Sequence, residues 1–340
     1  MPAQRLQIFA PLTRLRAFAA YLVFRHHYPQ FATSSIDYRL GREGYVGVSI
    51  FFVLSGFLLQ HRSGESIQLN KEIFRSYLRG RFARIYPLYF IVCIASMHIS
   101  AEYNRFIWLL NLALLKGFSD KWKFSYLSQS WSLTVEECFY GLFPFFTWAM
   151  VRKRLSFVKL MTLCYAIGLL LWALGNSVRW EGFFAAFQFV SSFTFFGRGF
   201  QFLIGMQGAR LASRLLSKES TLFHLTSLGA VTSMLAYGLL VMLAPAGSYA
   251  IRTPVGLIVH HWVFAVGVAL LVTGLAYERT SLSRILGSPL AVFAGKSSYA
   301  FYLLYINWPG MYLASQSSRA RCWLNFFLVS SLFFYFWKIR

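Results

Sequence analysis

The stretch LTRLRAFAAYLVFRHHYPQFA, residues 12–32, decides the fold. It is long and apolar enough to be a membrane helix, yet Arg25, His26 and His27 interrupt it. Ionisable groups at membrane depth are costly and normally face a bundle interior or a water-filled path, so this cluster is a functional candidate from the outset.

The rest of the chain extends the same reading. Of its 340 residues 57% are hydrophobic, 19% aromatic and only 13% charged. A soluble protein carries about a quarter of its residues as charges, and does not keep producing the roughly 20-residue apolar runs that span a bilayer. The sequence therefore predicts an all-α fold, a polytopic transmembrane bundle of about ten spans in one domain over residues 1–340. The spans are read at 12–32, 44–60, 86–100, 131–151, 155–174, 183–207, 221–243, 255–277, 289–313 and 322–337. The apolar piece 106–118 is too short to cross comfortably and contains Lys116, so it is read as re-entrant or interfacial. The N-terminal run has no small-residue cleavage site and reads as a retained span.

A net charge of +22 invites a nucleic-acid reading, but topology accounts for it better. On the predicted hairpin series most Lys and Arg fall on one side, among them Arg5, Arg14 and Arg16, the loop Arg62 to Arg84, Arg152 to Arg154, and Arg210 with Arg214. This positive-inside bias puts both termini in the cytoplasm and excludes a nucleic-acid partner in favour of membrane lipids. Cys93, Cys138, Cys164 and Cys322 lie in apolar segments without metal-like spacing and read as small buried hydrophobes.

In the first span as a helix, Arg16 and His27 are eleven residues apart, almost three turns, so they share a stripe about 16 Å long. His26 points about 80° away from it. An imidazole is well suited to take a proton from a hydroxyl near neutral pH; the plainer reading is a histidine hydrogen-bonded inside the bundle. Arg81 and Arg84, three apart, share a helix face where guanidinium groups either clamp phosphates or anchor to lipid headgroups. In WSLTVEECFY, Glu136 and Glu137 point about 100° apart, and Glu136 shares a face with Tyr140. Glu136 either orients or charge-balances His27, accepts a proton itself, or pairs with an intramembrane cation such as Arg198 or Arg25. Arg198 and Lys296 read as further intramembrane cations, either functional or structurally paired with a carboxylate or carbonyls, His260 and His261 as core or pathway polar residues, and Gly44, Gly47, Ser55 and Gly56 as close-packing positions.

Taken together, these segments resemble the acyltransferase 3 family, the bacterial membrane-integral O-acyltransferases that acetylate exported glycans and some other hydroxylated acceptors. The resemblance covers nearly the whole chain. Arg16 and His27 match the family's first-span pair, GYVGVSIFFVLSGFLL its second-span signature, RFARIYPLY its Arg-x-x-Arg element and SLTVEECFY its Ser-Leu-x-x-Glu-x-x-Phe-Tyr element. Thr13, Gln201 and Tyr305 depart from it, standing where Asp, Glu and His are common. The resemblance implies transfer of an acyl group, acetyl above all, from a cytoplasmic acyl-CoA to a glycan or glycolipid hydroxyl at a bacterial inner membrane, with no permanently bound cofactor. Arg81 and Arg84 would hold the CoA phosphates with Arg16 along the path, and His27 and Glu136 would be catalytic. A transporter or flippase for a glycolipid is the competing class, since intramembrane Arg, His and Glu also build substrate pathways.

Overall fold

Prediction and structure agree on the all-helical character. The computed structural model describes residues 2–64, 71–100, 103–216, 224–278, 280 and 289–305; the span read at 322–337, the end of that at 289–313, and Cys322 lie outside them. Among the described residues there is no strand, only one isolated bridge between Ser119 and Phe183. The α-helices are α1 (Pro2–His27), α2 (Ser35–Arg42), α3 (Val46–Ser63), α4 (Lys71–Ser100), α5 (Arg105–Leu112), α6 (Trp131–Val151), α7 (Phe157–Val178), α8 (Phe187–Phe193), α9 (Phe195–Leu216), α10 (Leu225–Leu243), α11 (Pro254–Ile258), α12 (Ala265–Tyr277) and α13 (Pro289–Leu304). A π-helical turn, Val259–Phe264, joins α11 to α12.

Five helical stretches among the described residues are long and apolar enough to cross a membrane: Ser35–Ser63, Glu72–Ser100, Phe157–Val178, Leu225–Leu243 and Pro254–Tyr277. This is fewer than the ten spans read from sequence, and the differences have local causes. Helix α1 carries Arg14, Arg16 and Arg25 besides its histidines, and α6 carries Glu136 and Glu137. The segment read as one span at 183–207 is broken, because Thr194 adopts extended backbone between α8 and α9. The basic segment read as a loop from Arg62 to Arg84 is helix from residue 71 on: α4 starts at Lys71 and runs for 30 residues, so the span read at 86–100 is only its second half. Arg14, counted with the inward-facing basic residues, is 2% exposed.

The described residues divide into two compact units, one holding those within 2–61 and 201–305 and the other those within 62–200. In the first, α1 packs along α13 and α12, and α10 along α12. The small residues of the second-span signature act as packing positions, as expected. A Cβ on Gly44 would lie 2.1 Å from the carbonyl oxygen of Leu22, one on Gly47 2.3 Å from that of Ala19, and one on Gly56 2.0 Å from that of Phe202. Gln201, where the family commonly has Glu, is fully buried, and neither of its amide atoms has a partner among the described residues.

The second unit shows what the re-entrant piece is. Helix α5 is capped by Asn104, whose side chain accepts from the amides of Phe106 and Ile107, and ends after eight residues. The chain then turns through Lys116–Phe118 and is tied down by polar contacts. Asn111 donates to Ser125 Oγ at 2.8 Å, and Tyr89 of α4 donates to the Asn111 carbonyl at 2.7 Å. Lys116 is fully buried and donates to the carbonyls of Ser125 and Leu127, both at 2.6 Å. Further along, Glu181 accepts from Lys121 Nζ at 2.9 Å and from Trp122 Nε1 at 2.8 Å, which staples this loop to the turn before α8.

Burial pulls the Lys116 amine down to about 7. An amine with a lowered folded value binds fewer protons folded than unfolded between about 7 and its ordinary 10.5, so stability rises with pH across that window. Lys116→Met leaves two buried carbonyls without their donor, at about 1–3 kcal/mol each before relaxation. The variant is therefore expected to melt well below the wild type in detergent, with the gap widening as the pH is raised from 7 towards 10. An unchanged melting temperature would remove Lys116 from the supports of this segment.

Candidate active site

The C-terminal turn of α1 presents Arg25, His26 and His27, and each is held differently. Arg25 is 9% exposed and pairs with Asp37 Oδ1 at 2.7 Å. Its carboxylate partner is thus a residue of the short helix α2, not Glu136. Asp37 itself is fixed by the Thr33 amide at 2.8 Å, and Ser34 caps α2 by accepting from the Asp37 amide at 3.1 Å. His26 donates from Nδ1 to the Arg42 carbonyl at 2.6 Å, and its ring packs against Tyr45 and Tyr249.

Residues 33–45 are fastened in turn to α10 and the segment after it. Arg42 donates to the Ser248 carbonyl at 2.6 Å, Tyr237 to the Leu40 carbonyl at 2.6 Å, and the buried Glu43 accepts from the Ala250 amide at 3.4 Å. The polar cluster is therefore embedded in a rigid frame on its His26 side.

His27 is half-buried. Its Nδ1 lies 2.9 Å from the carbonyl oxygen of Val23, one turn back in the same helix, and 3.2 Å from the hydroxyl oxygen of Tyr305. A carbonyl oxygen only accepts, so Nδ1 carries the hydrogen and the lone pair of the neutral ring sits on Nε2. Tyr305 is positioned for this contact by Tyr28, whose hydroxyl donates to the Tyr305 carbonyl at 2.6 Å. Tyr305 stands at one of the positions where the sequence departs from its family resemblance, and the structure puts that departure against the predicted catalytic histidine. Thr13, another, lies where α1 meets α13: a Cβ on Gly295 would be 1.9 Å from its carbonyl oxygen. Arg16, half-buried, shares the unbroken helix α1 with His27, so the predicted stripe between them holds.

The second group assembles on α4 and α6. The Tyr140 hydroxyl donates to Glu136 Oε1, which realises the predicted one-turn pairing. The guanidinium of Arg81 lies 5.5 Å from the centroids of both the Tyr140 and Tyr77 rings. Arg81 and Glu136, read separately in the sequence, are thus joined through one tyrosine. Because α4 begins so early, Arg81 stands beside the middle of α6 and not in a loop before a span starting at residue 86. Arg84 is exposed one turn further along α4.

The remaining polar candidates separate. Arg198 donates to the Ser192 carbonyl at 2.6 Å and stacks over Trp131 at 5.8 Å, so its role is to close the break between α8 and α9. Lys296 is exposed. His260, in the π-helical turn, lies 2.8 Å from Ser49 Oγ through Nε2, and both are fully buried. Sequence reading missed Asp37, Tyr77 and the Ser49–His260 pair; an Asp at the start of a short capped helix was the one available signal among them.

Fold and site together define an all-helical membrane protein that presents a tautomer-fixed histidine on one unit and an arginine–tyrosine–glutamate cluster on the other. The chain belongs to the acyltransferase domain family (acyltransferase 3), whose model matches residues 12–337. It is similar to the acyltransferase MdmB of Streptomyces mycarofaciens, at 31% identity over 42% of this chain and 40% of that protein. It is also similar to the putative peptidoglycan O-acetyltransferase YrhL of Bacillus subtilis, at 28% identity over 46% of this chain and 27% of the relative. The peptidoglycan O-acetyltransferase OatA of Listeria monocytogenes gives 27% identity over the same shares. The matched region thus spans less than half the length of each of these three relatives. No solved structure matches the chain.

Proposed function

We propose that this protein is a membrane O-acyltransferase that moves an acetyl or similar acyl group from a cytoplasmic acyl-CoA to a hydroxyl of an exported glycan or glycolipid. The observation that carries the reading is the bond from His27 Nδ1 to the Val23 carbonyl at 2.9 Å, because it leaves Nε2 as the basic nitrogen of a neutral ring. The family match over residues 12–337 supports the reaction class, and the names of YrhL and OatA support a glycan acceptor.

In this mechanism His27 Nε2 removes the proton of the acceptor hydroxyl as its oxygen attacks the thioester carbonyl. The C–S bond then breaks, the acyl group stays on the acceptor oxygen, and the proton passes to the departing thiolate, which leaves as the free thiol of CoA. An acyl group carried briefly on His27 gives the same balance in two steps. Glu136, held by Tyr140, is the second proton-accepting group. Arg81 and Arg84 bind the donor's phosphates, with Arg16 along its path. The protein sits in a bacterial inner membrane with both termini in the cytoplasm.

The test uses the full-length protein in liposomes with acetyl-CoA and a hydroxylated glycan. Free CoA thiol is expected to appear in step with acetylated acceptor, and Arg81→Ala is expected to raise the KM for acetyl-CoA by about tenfold or more with a smaller change in kcat, as loss of a binding contact does. Movement of glycan across the bilayer without any covalent change would replace this reading with a transporter.

A further inference from the structure

A groove of about 280 Å³ runs between α9 and α12, remote in sequence from His26 and His27. Ile204 and Leu211 line it from α9 and Val266 and Leu270 from α12. The first pair are seven residues apart and the second pair four, spacings that put side chains on one helix face. Its floor is tight: a Cβ on Gly208 would come within 2.6 Å of Thr273 Oγ1. Its rim is open, with Leu211 40% and Val266 36% exposed. Apolar side chains left accessible on a membrane protein meet hydrocarbon, so the natural filler of such a trough is an acyl chain.

The α9 side of the groove is basic. Arg210 and Arg214, one turn apart, both line it, Arg210 half-buried and Arg214 exposed in the last turn of the helix. Burial and the neighbouring charge of Arg214 both push Arg210 down from its ordinary value, which places the two guanidiniums within each other's field. Two forked donors on one face match the oxygens of a phosphodiester. Basic pockets between transmembrane helices are where anionic headgroups bind.

We infer that the α9–α12 groove is a binding site for an anionic phospholipid, its phosphodiester on Arg210 and Arg214 and one acyl chain against Leu211, Val266 and Leu270. Neither the acyl donor nor the acceptor is required to enter it, so the site is independent of the proposed reaction.

Native mass spectrometry of the full chain, released from mixed phosphatidylglycerol–phosphatidylcholine micelles, tests this. The wild type is expected to retain phosphatidylglycerol at least fivefold over phosphatidylcholine. Arg210→Gln with Arg214→Gln should bring the two lipids to parity. Leu270→Trp, which fills the trough and leaves both arginines, should lower retention of either lipid. Equal retention of the two lipids by the wild type would overturn the charge argument. Displacement of the lipid by inorganic phosphate at millimolar concentration would show an anion site without an acyl-chain component, and displacement by CoA would reassign the arginines to the donor; either result sinks the proposal. Because the wild-type preference is read directly, the inference stands or falls even if a variant fails to fold.

Discussion

Replacing His27 with alanine is expected to lower acyl transfer by about a thousandfold while leaving the protein in the membrane at normal abundance. The size follows from the general-base role proposed for His27, since a positioned general acid–base contributes about 10²- to 10⁴-fold. The unchanged abundance follows from the geometry: the His27 ring is half-buried and its shorter hydrogen bond goes to its own helix, at Val23. His26→Ala should behave differently. It frees the Arg42 carbonyl and loosens the frame between α2 and the residues after α10, so it should lower stability more than turnover. Tyr305→Phe removes a 3.2 Å contact to a nitrogen already bonded to Val23, and is expected to cost less than about tenfold, the weight of one secondary hydrogen bond. Acetylation assays on the three variants, each corrected for membrane abundance, separate these outcomes. Activity retained in His27→Ala and lost in His26→Ala would mean that the wrong imidazole had been assigned.

The sequence made that assignment possible because helical register is a property of spacing. Arg16 and His27 fall on one stripe of any straight helix, and α1 is one helix. The Glu136–Tyr140 pair was legible for the same reason. What spacing cannot show is a partner brought in from elsewhere in the chain. Arg25 is neutralised by Asp37 across a turn, His27 meets Tyr305, 278 positions away in sequence, and Arg81 reaches Tyr140 only because α4 starts at Lys71. That start was hidden because Arg75, Arg79, Arg81 and Arg84 lower the hydropathy of a segment that is nonetheless helical, with the basic side chains of its exposed surface free to extend towards headgroups or water. The break at Thr194 was hidden in the opposite way: hydropathy runs continuously across it, and only the backbone, closed by Arg198 on the Ser192 carbonyl, shows two helices.

The glycine spacing of the second-span signature reads as packing, and it carries a large expected effect on stability. Where α3 crosses α9, Gly56 would put a Cβ 2.0 Å from the Phe202 carbonyl oxygen and 2.9 Å from its carbon, and Gly205 would put one 2.1 Å from the Val53 carbonyl oxygen. The obstacle at both positions is backbone, which cannot rotate aside as a side chain can. Gly56→Ala must therefore separate the two helices by about 1 Å or more, which also parts the stacked rings of Phe52 and Phe202, now 4.6 Å apart. Overpacking of a dense contact costs about 1–3 kcal/mol and occasionally more, and here about 3 kcal/mol is expected, seen as a marked loss of folded protein or a lower melting temperature in detergent. Gly238 in α10 is the internal control, since a Cβ there meets nothing within 4 Å and alanine is favoured over glycine in a helix by up to about 1 kcal/mol. Gly238→Ala should hold or raise the melting temperature. Gly56→Ala and Gly205→Ala combined should cost less than the two single changes together, because the first substitution has already opened the crossing that the second needs. Full additivity would mean that the two glycines serve separate contacts and that α3 and α9 do not share one tight crossing.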